Sequence, residues 1–153
     1  ESVCLVPEHR KEVTTEGGLD IVSNMERARE AVKAFTDAGI PTSMFIDPNP
    51  KQLEASAQIG SPWVELHTGS FARAWYHESE REKELMILQK GMELGVSLGL
   101  RVNAGHGINY DNVEGAKQLD KVYEFNIGHS IVSRSITHGF KEAVATMRHR
   151  LNH

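Results

Sequence analysis

Two short segments near the end of the chain place a histidine directly after a glycine: residues 102–107 read VNAGHG, and residues 125–130 read FNIGHS. Each is an extended stretch that stops at Gly-His and turns toward a helix, and strand carboxyl ends are where parallel α/β proteins bind ligands. Imidazole exchanges protons near neutral pH, and glycine lets an anion approach the backbone N–H groups. The segments therefore predict one site, in which His106 exchanges protons and Gly107, Gly128 and His129 contact an anion.

A carboxylate is expected to join this site. Glu65 and His67 alternate with apolar residues in the stretch 62–67, so both side chains point to one face of a strand. If that face is the interior, Glu65 lies near the mouth and serves acid–base or electrostatic chemistry. If it is the outer face, Glu65 only pairs with a basic neighbour.

Thr14 is a further candidate, because a Thr pair precedes Gly17-Gly18 and offers hydroxyl donors beside a flexible backbone. The competing interpretation is a surface turn, and Gly128-His129 could likewise be a helix start without a ligand. A zinc site built from Glu65, His67, His106 and His129 has suitable residue types. It lacks an H-x-H or H-x-x-x-H spacing, so we assign no metal ligands.

The elements that position these residues follow a repeated strand–helix order. The predicted strands, all short apolar runs, are residues 2–7, 41–47, 62–67, 101–104 and 122–127. Helices are expected between them, with a Ser23–Glu26 capping box, an Asn49 cap before Pro50, and stops at Gly39, Gly60 and Gly99. The later helices are a charged one that buries Leu85, Leu88, Met92 and Val96, a short one within residues 111–119, and one over residues 131–151 that breaks near Gly139.

Such a pattern predicts a parallel sheet with helical crossovers. No G-x-G-x-x-G motif follows the first strand, which disfavours a dinucleotide-binding unit. Polar residues recur at the strand ends, as in (β/α)₈ TIM barrels, which have eight units and about 250 residues. We therefore expect an α/β fold in which residues 1–153 are a single domain and supply about the last five βα units, with three N-terminal units absent.

Composition and charge argue against nucleic-acid and membrane partners. The net charge of −4, without a block of basic residues, argues against nucleic-acid binding. No apolar run approaches the roughly 20 residues that span a bilayer, and no signal peptide is evident, so no membrane partner is expected. Cys4 is the only cysteine, which favours a reducing, cytoplasmic setting and a packed strand residue over a nucleophile.

Five ordered blocks of the chain resemble the pyridoxine 5′-phosphate synthase family, which closes the ring of vitamin B6. The blocks are CLVPEHRKEVTTEGGLDI (4–21), SMFIDPNPKQ (43–52), VELHTGSFA (64–72), LRVNAGHGINYDNV (100–113) and FNIGHSIVSRSITHGFKEAV (125–144). Together they cover almost the whole chain. Their intact Gly, His, Thr and Glu positions make the resemblance specific.

The resemblance implies a barrel that condenses 3-amino-2-oxopropyl phosphate with 1-deoxy-D-xylulose 5-phosphate, without a cofactor, in a homo-oligomer. It implies that His106 is the proton donor and that Glu65 stabilises a transition state. It further implies that Thr14 contacts the deoxyxylulose phosphate and that Gly107, Gly128 and His129 contact the amino-ketone phosphate.

One departure from the family is large. Its N-terminal strands normally bring an Asn, an Asp-His pair, a His with nearby arginines and a Glu base, and none has a counterpart here. We therefore expect the chain alone to be inactive. Two alternatives stay open, an inactive phosphate-binding barrel fragment and a metal-dependent barrel lyase or isomerase.

Overall fold

The computed structural model describes residues 2–7 and 17–153, and in these residues five parallel strands form one sheet in the order of the chain. The strands are β1 (Val3–Leu5), β2 (Thr42–Ile46), β3 (Trp63–His67), β4 (Arg101–Gly105) and β5 (Phe125–Asn126). Neighbouring strands are in register, with Glu65 beside Asn103 and His67 beside Gly105. The α/β architecture is that of a half-barrel.

Seven helices connect and follow the strands in the described part of the chain. They are α1 (Met25–Asp37), α2 (Pro50–Gln58), α3 (Gly69–Ala74), α4 (Glu78–Ser97), α5 (Val113–Ala116), α6 (His129–His138) and α7 (Phe140–Asn152). The alternation of strand and helix agrees with the sequence-based expectation. Helix α3 lies between β3 and α4, where the sequence analysis predicts no helix. It forms there because Phe71 and Ala74 are buried against the rest of the fold.

Most of the local signals that end the elements are confirmed. The Asn49 side chain accepts a hydrogen bond from the Lys51 N–H at 2.9 Å, and Pro50 occupies the first turn of α2. Gly39, Gly60 and Gly99 have positive φ angles directly after their helices.

The predicted capping box at Ser23 was wrong. The Ser23 N–H donates to the Asp20 carboxylate at 3.1 Å, and a short 3-10 turn (Val22–Asn24) precedes α1. The acceptor therefore lies three residues earlier than the box requires, because the 3-10 turn begins the helical segment sooner.

Helix α4 approaches the sheet through glycines. A Cβ atom on Gly95 would lie 2.6 Å from Val102 Cγ2, so the helix packs closer there than any side chain allows. Leu88 and Met92 are buried as expected, whereas Val96 is 40% exposed and was wrongly placed in the core. The reason is that Gly95, and not its neighbour, is the point of closest contact.

The two edge strands differ most from expectation. Strand β1 is only half-buried and Cys4 is exposed, contrary to the packed position expected, because no described strand pairs with its outer edge. Strand β5 is shorter than predicted, since Lys121 has a φ of 67° and turns the chain before the extended run begins.

None of the helices in the described residues is long and apolar enough to span a bilayer.

Candidate functional site

The carboxyl ends of β3, β4 and β5 surround a cavity of about 250 Å³. Glu65, His106, Gly107, Gly128 and His129 all line this cavity, so five of the six residues selected from the sequence lie around one hollow. The roles assigned to them stay predictions. The sixth, Thr14, lies outside the described residues.

Glu65 lines the cavity on the inner side of the sheet, which is one of the two faces that the alternation in β3 left open. Its Oε2 accepts a hydrogen bond from Asn126 Nδ2 at 2.6 Å and lies 3.7 Å from Cys4 Sγ, so the carboxylate links β3 to both edge strands. Burial raises the pKa of Glu65 above its ordinary value, against the opposing effect of the Asn126 hydrogen bond.

Gly105 makes room for this carboxylate. A Cβ atom at residue 105 would lie 2.1 Å from Glu65 Oε1 and 3.0 Å from the Asn126 carbonyl oxygen. Any other residue type would therefore push Glu65 away from the strand end. The two residues of the Gly-His pair thus have different parts: Gly105 leaves space for the Glu65 carboxylate, and His106 lines the cavity.

The backbone at His106 is left-handed, with a φ of 77°, and Gly107 continues it with a φ of 81°. For a residue with a side chain, this conformation costs about 1–2 kcal/mol. It turns the chain sharply at the end of β4 and directs the imidazole into the cavity. A strained residue of this kind often marks a functional site.

Thr68 holds this turn in place. Its hydroxyl lies 2.9 Å from the Gly105 carbonyl oxygen and 2.5 Å from that of His106, and its N–H donates to the Gly105 carbonyl at 2.9 Å. Thr68 is fully buried. Hydrogen bonds of this type contribute about 0.5–1.5 kcal/mol each, which is enough to offset the cost of the left-handed residue.

The His106 ring is partly enclosed and lies close to other rings. Its centroid is 4.9 Å from that of His67 and 6.1 Å from that of Phe45. Burial, followed by the positive charges of His67, Arg73 and His129, lowers the pKa of His106 below its ordinary value. The protonated ring is therefore a stronger acid than a free imidazole.

The opposite wall of the cavity is the start of helix α6. Gly128 precedes the helix, and a Cβ atom built there would meet nothing within 4 Å, which leaves the space before the first turn open. Ser130 Oγ donates to the Ile108 carbonyl at 2.9 Å and fixes this helix start beside the turn after β4. Backbone N–H groups at a helix start attract anions, particularly phosphate.

Sequence reasoning missed the residues that support the site. Asn126 and Thr68 lie within the blocks quoted above, but no local pattern shows that one bonds Glu65 and the other bonds the His106 turn. Within the described ranges, 2–7 and 17–153, no group of three or more His, Cys, Asp or Glu side chains is arranged to hold a metal ion.

Comparisons with known proteins identify relatives of the chain. The family model described as "Pyridoxal phosphate biosynthesis protein PdxJ" matches residues 1–153. The chain is 50% identical over 152 residues to the pyridoxine 5′-phosphate synthase of Opitutus terrae, covering 99% of this chain and 61% of that protein. It is also 50% identical over 150 residues to the synthase of Trichodesmium erythraeum, covering 98% of this chain and 62% of that protein. The chain therefore spans about three fifths of the length of these relatives.

The hydrogen bonds of Thr68 lead to a stability prediction with a built-in control. Thr68→Val removes the hydroxyl and should lower the free energy of unfolding by about 1–3 kcal/mol, because the His106 carbonyl loses its donor. Thr42 is equally buried, but its hydroxyl has no partner among the described residues, so Thr42→Val should be neutral or stabilising. Urea unfolding of both variants measures the difference. Equal losses would mean that the Thr68 hydroxyl does not hold the turn.

The raised pKa of Glu65 predicts a dependence of stability on pH. Below its ordinary value of 4.5 the carboxyl is protonated in both folded and unfolded chains and has no effect. As the pH rises through the higher pKa of the folded state, the folded chain binds more protons than the unfolded one, so stability falls. Glu65→Gln should remove this fall, so the variant gains stability over the wild type between pH 4 and pH 7.

Urea midpoints across that pH range test the prediction. Glu93→Gln, on an exposed part of α4, is the matched control and should follow the wild-type curve. A Glu65→Gln curve parallel to that of the wild type would contradict the prediction.

Proposed function

The chain belongs to the family described as pyridoxal phosphate biosynthesis protein PdxJ, and from this we propose that it supplies the acid–base part of a pyridoxine 5′-phosphate synthase. The observation that carries the proposal is the shared cavity lined by Glu65, His106, Gly107, Gly128 and His129. The reaction condenses 3-amino-2-oxopropyl phosphate with 1-deoxy-D-xylulose 5-phosphate. It forms pyridoxine 5′-phosphate and releases phosphate and water.

His106 is the proton donor in this proposal. An amine adds to a carbonyl, and water and phosphate must later leave, so each elimination needs a proton on a departing oxygen. An imidazole that lies in the cavity on a fixed turn, and whose pKa is lowered, is suited to that step. Glu65 lies in the same cavity, where its carboxylate stabilises positive charge that develops on the substrate nitrogen or carbon.

We propose that the phosphate of the amino ketone binds at the start of α6. The open space before Gly128, the N–H groups of the first helical turn and the His129 imidazole support this placement. Gly107, in the turn after β4, lines the same cavity. Thr14 is proposed to contact the deoxyxylulose phosphate. Two substrates held by their phosphates react as if within one molecule, which lowers the entropic part of the barrier.

The chain is proposed to be the last five βα units of a (β/α)₈ barrel. Its share of the relatives' length supports this, as do β1 and β5, whose outer edges pair with no described strand. Exposed apolar side chains on the last two helices would be covered by further units: Val132, Ile136, Phe140 and Val144. The remaining units would bring the bases and the phosphate-binding arginines. The completed protein is proposed to form a homo-oligomer.

Formation of pyridoxine 5′-phosphate tests the proposal. We expect no turnover by the chain alone. We expect turnover when it is fused to the N-terminal part of the Opitutus terrae enzyme, because the fusion restores eight units. Absence of product from a folded fusion would overturn the proposed function, and turnover by the chain alone would refute the need for the other units.

Within the active fusion, His106→Asn should lower kcat by roughly 10²–10⁴, which is the usual contribution of a general acid. His149→Asn is the matched control, because this histidine lies on α7, away from the cavity, and turnover should be unchanged. An unchanged kcat in His106→Asn would remove His106 from its role as proton donor.

A further inference from the structure

His67 is a buried imidazole to which the proposed reaction assigns no role. The residue is 4% exposed, and its Nδ1 lies 2.9 Å from Asp47 Oδ1. Its Nε2 is also buried and has no hydrogen-bond partner in the described part of the chain. A buried polar atom without a partner is costly, so its retention calls for an explanation.

His67 lies between two cavities. His67 and Asp47 line a cavity of about 490 Å³ beside β2 and β3, where the Asp47 side chain is 53% exposed. The His67 ring packs against Phe45 at 5.2 Å and against His106 at 4.9 Å, both measured between ring centroids. Since His106 lines the 250 Å³ cavity, His67 lies between the candidate site and a carboxylate that solvent reaches.

We propose that His67, held by Asp47, is a positioning residue for His106: it fixes the orientation of the His106 ring and, when protonated, favours release of the His106 proton. This inference rests on the proposed function, in which that proton is donated to a leaving group. The edge-on packing of the two rings restricts rotation of His106, while Asp47 restricts rotation of His67. The left-handed backbone alone fixes only where the His106 side chain begins.

The charges around His106 support an electrostatic part for His67. His67 from β3, Arg73 from α3 and His129 from α6 each lower the pKa of His106, in that order after burial. Glu65 is the carboxylate that lines the same cavity, and it is not among the groups that shift the pKa of His106. His67 comes first among these three groups, and replacing it does not touch the proposed phosphate site.

Asp47 completes the arrangement. The hydrogen bond to His67 is the largest cause that lowers the pKa of Asp47, so this carboxylate stays charged near neutral pH. Asp47 is not among the groups that shift the pKa of His106, so its influence is expected to pass through His67.

The test is a titration of [¹³C]histidine-labelled chain followed by NMR, with the His106 signal assigned by its loss in His106→Asn. His67→Phe keeps an aromatic ring in place but removes the charge, and it should move the His106 midpoint to higher pH. Asp47→Asn should move the midpoint in the same direction, because His67 then loses its anionic partner. Asp47 is half exposed, so this second variant keeps the test valid if His67→Phe does not fold.

The direction of the Asp47→Asn shift separates two explanations. Direct removal of a negative charge would lower the His106 midpoint, whereas loss of charge on His67 raises it. A lower midpoint in Asp47→Asn, or an unchanged midpoint in both variants, overturns the proposal. Asp37→Asn, an exposed carboxylate on α1 paired with Lys33, and His149→Phe on α7 are the matched controls and should leave the midpoint unchanged.

Activity gives a second readout that a purely structural role would not reproduce. In the active fusion, His67→Phe should lower kcat by about 10²-fold, as misplacement of a reacting group does, with KM little changed. A rise in KM with kcat unchanged would contradict a positioning role. The titration needs no substrate, so it decides this inference even if the fusion makes no product and the proposed function fails.

Discussion

The hydrogen bonds between Thr68 and the turn after β4 are the interaction on which the candidate site depends. The turn places His106 in a left-handed conformation, which an L-residue avoids by about 1–2 kcal/mol. The buried Thr68 hydroxyl and N–H bind the two carbonyl oxygens that the turn presents. Thr68 and the turn follow neighbouring strands, so the register of these strands aligns the hydrogen bonds. The position of the imidazole is thus fixed by the sheet and not by a flexible loop.

A second constraint is the close approach between Glu65 and Gly105. The carboxylate lies where a Cβ atom at residue 105 would be, and Asn126 holds it from the far side. Burial raises the pKa of this carboxylate above its ordinary value, whereas burial and the charges of His67, Arg73 and His129 lower the pKa of His106. Two titratable groups that line one cavity therefore have pKa values shifted in opposite directions by their surroundings. Such a pair suits chemistry that moves protons between substrate and protein near neutral pH.

In the described part of the chain, the sheet that supports this cavity has two unpaired edges. Strands β1 and β5 each pair on one side only, and Cys4 and Asn126 on these edge strands both contact Glu65. An open parallel sheet exposes backbone groups and apolar surface that further strands and helices would cover. The relatives of this family are longer than the chain, which fits this need. The residues that line this cavity are thus one side of a proposed larger site.

The sequence by itself determined the order of strands and helices and the residues that end them, because caps, helix-stop glycines and apolar periodicity act over a few neighbouring residues. It also placed Glu65 within a strand and His106 and His129 just after strand ends. It missed helix α3 and the Asp20 cap and misplaced Val96, since these depend on packing between elements. Only the tertiary structure decided that His106 is left-handed, that Thr68 holds it and that Asp47 pairs with His67. Both hydrogen bonds join residues 20 or more positions apart in the chain, and they form because the sheet places neighbouring strand ends side by side.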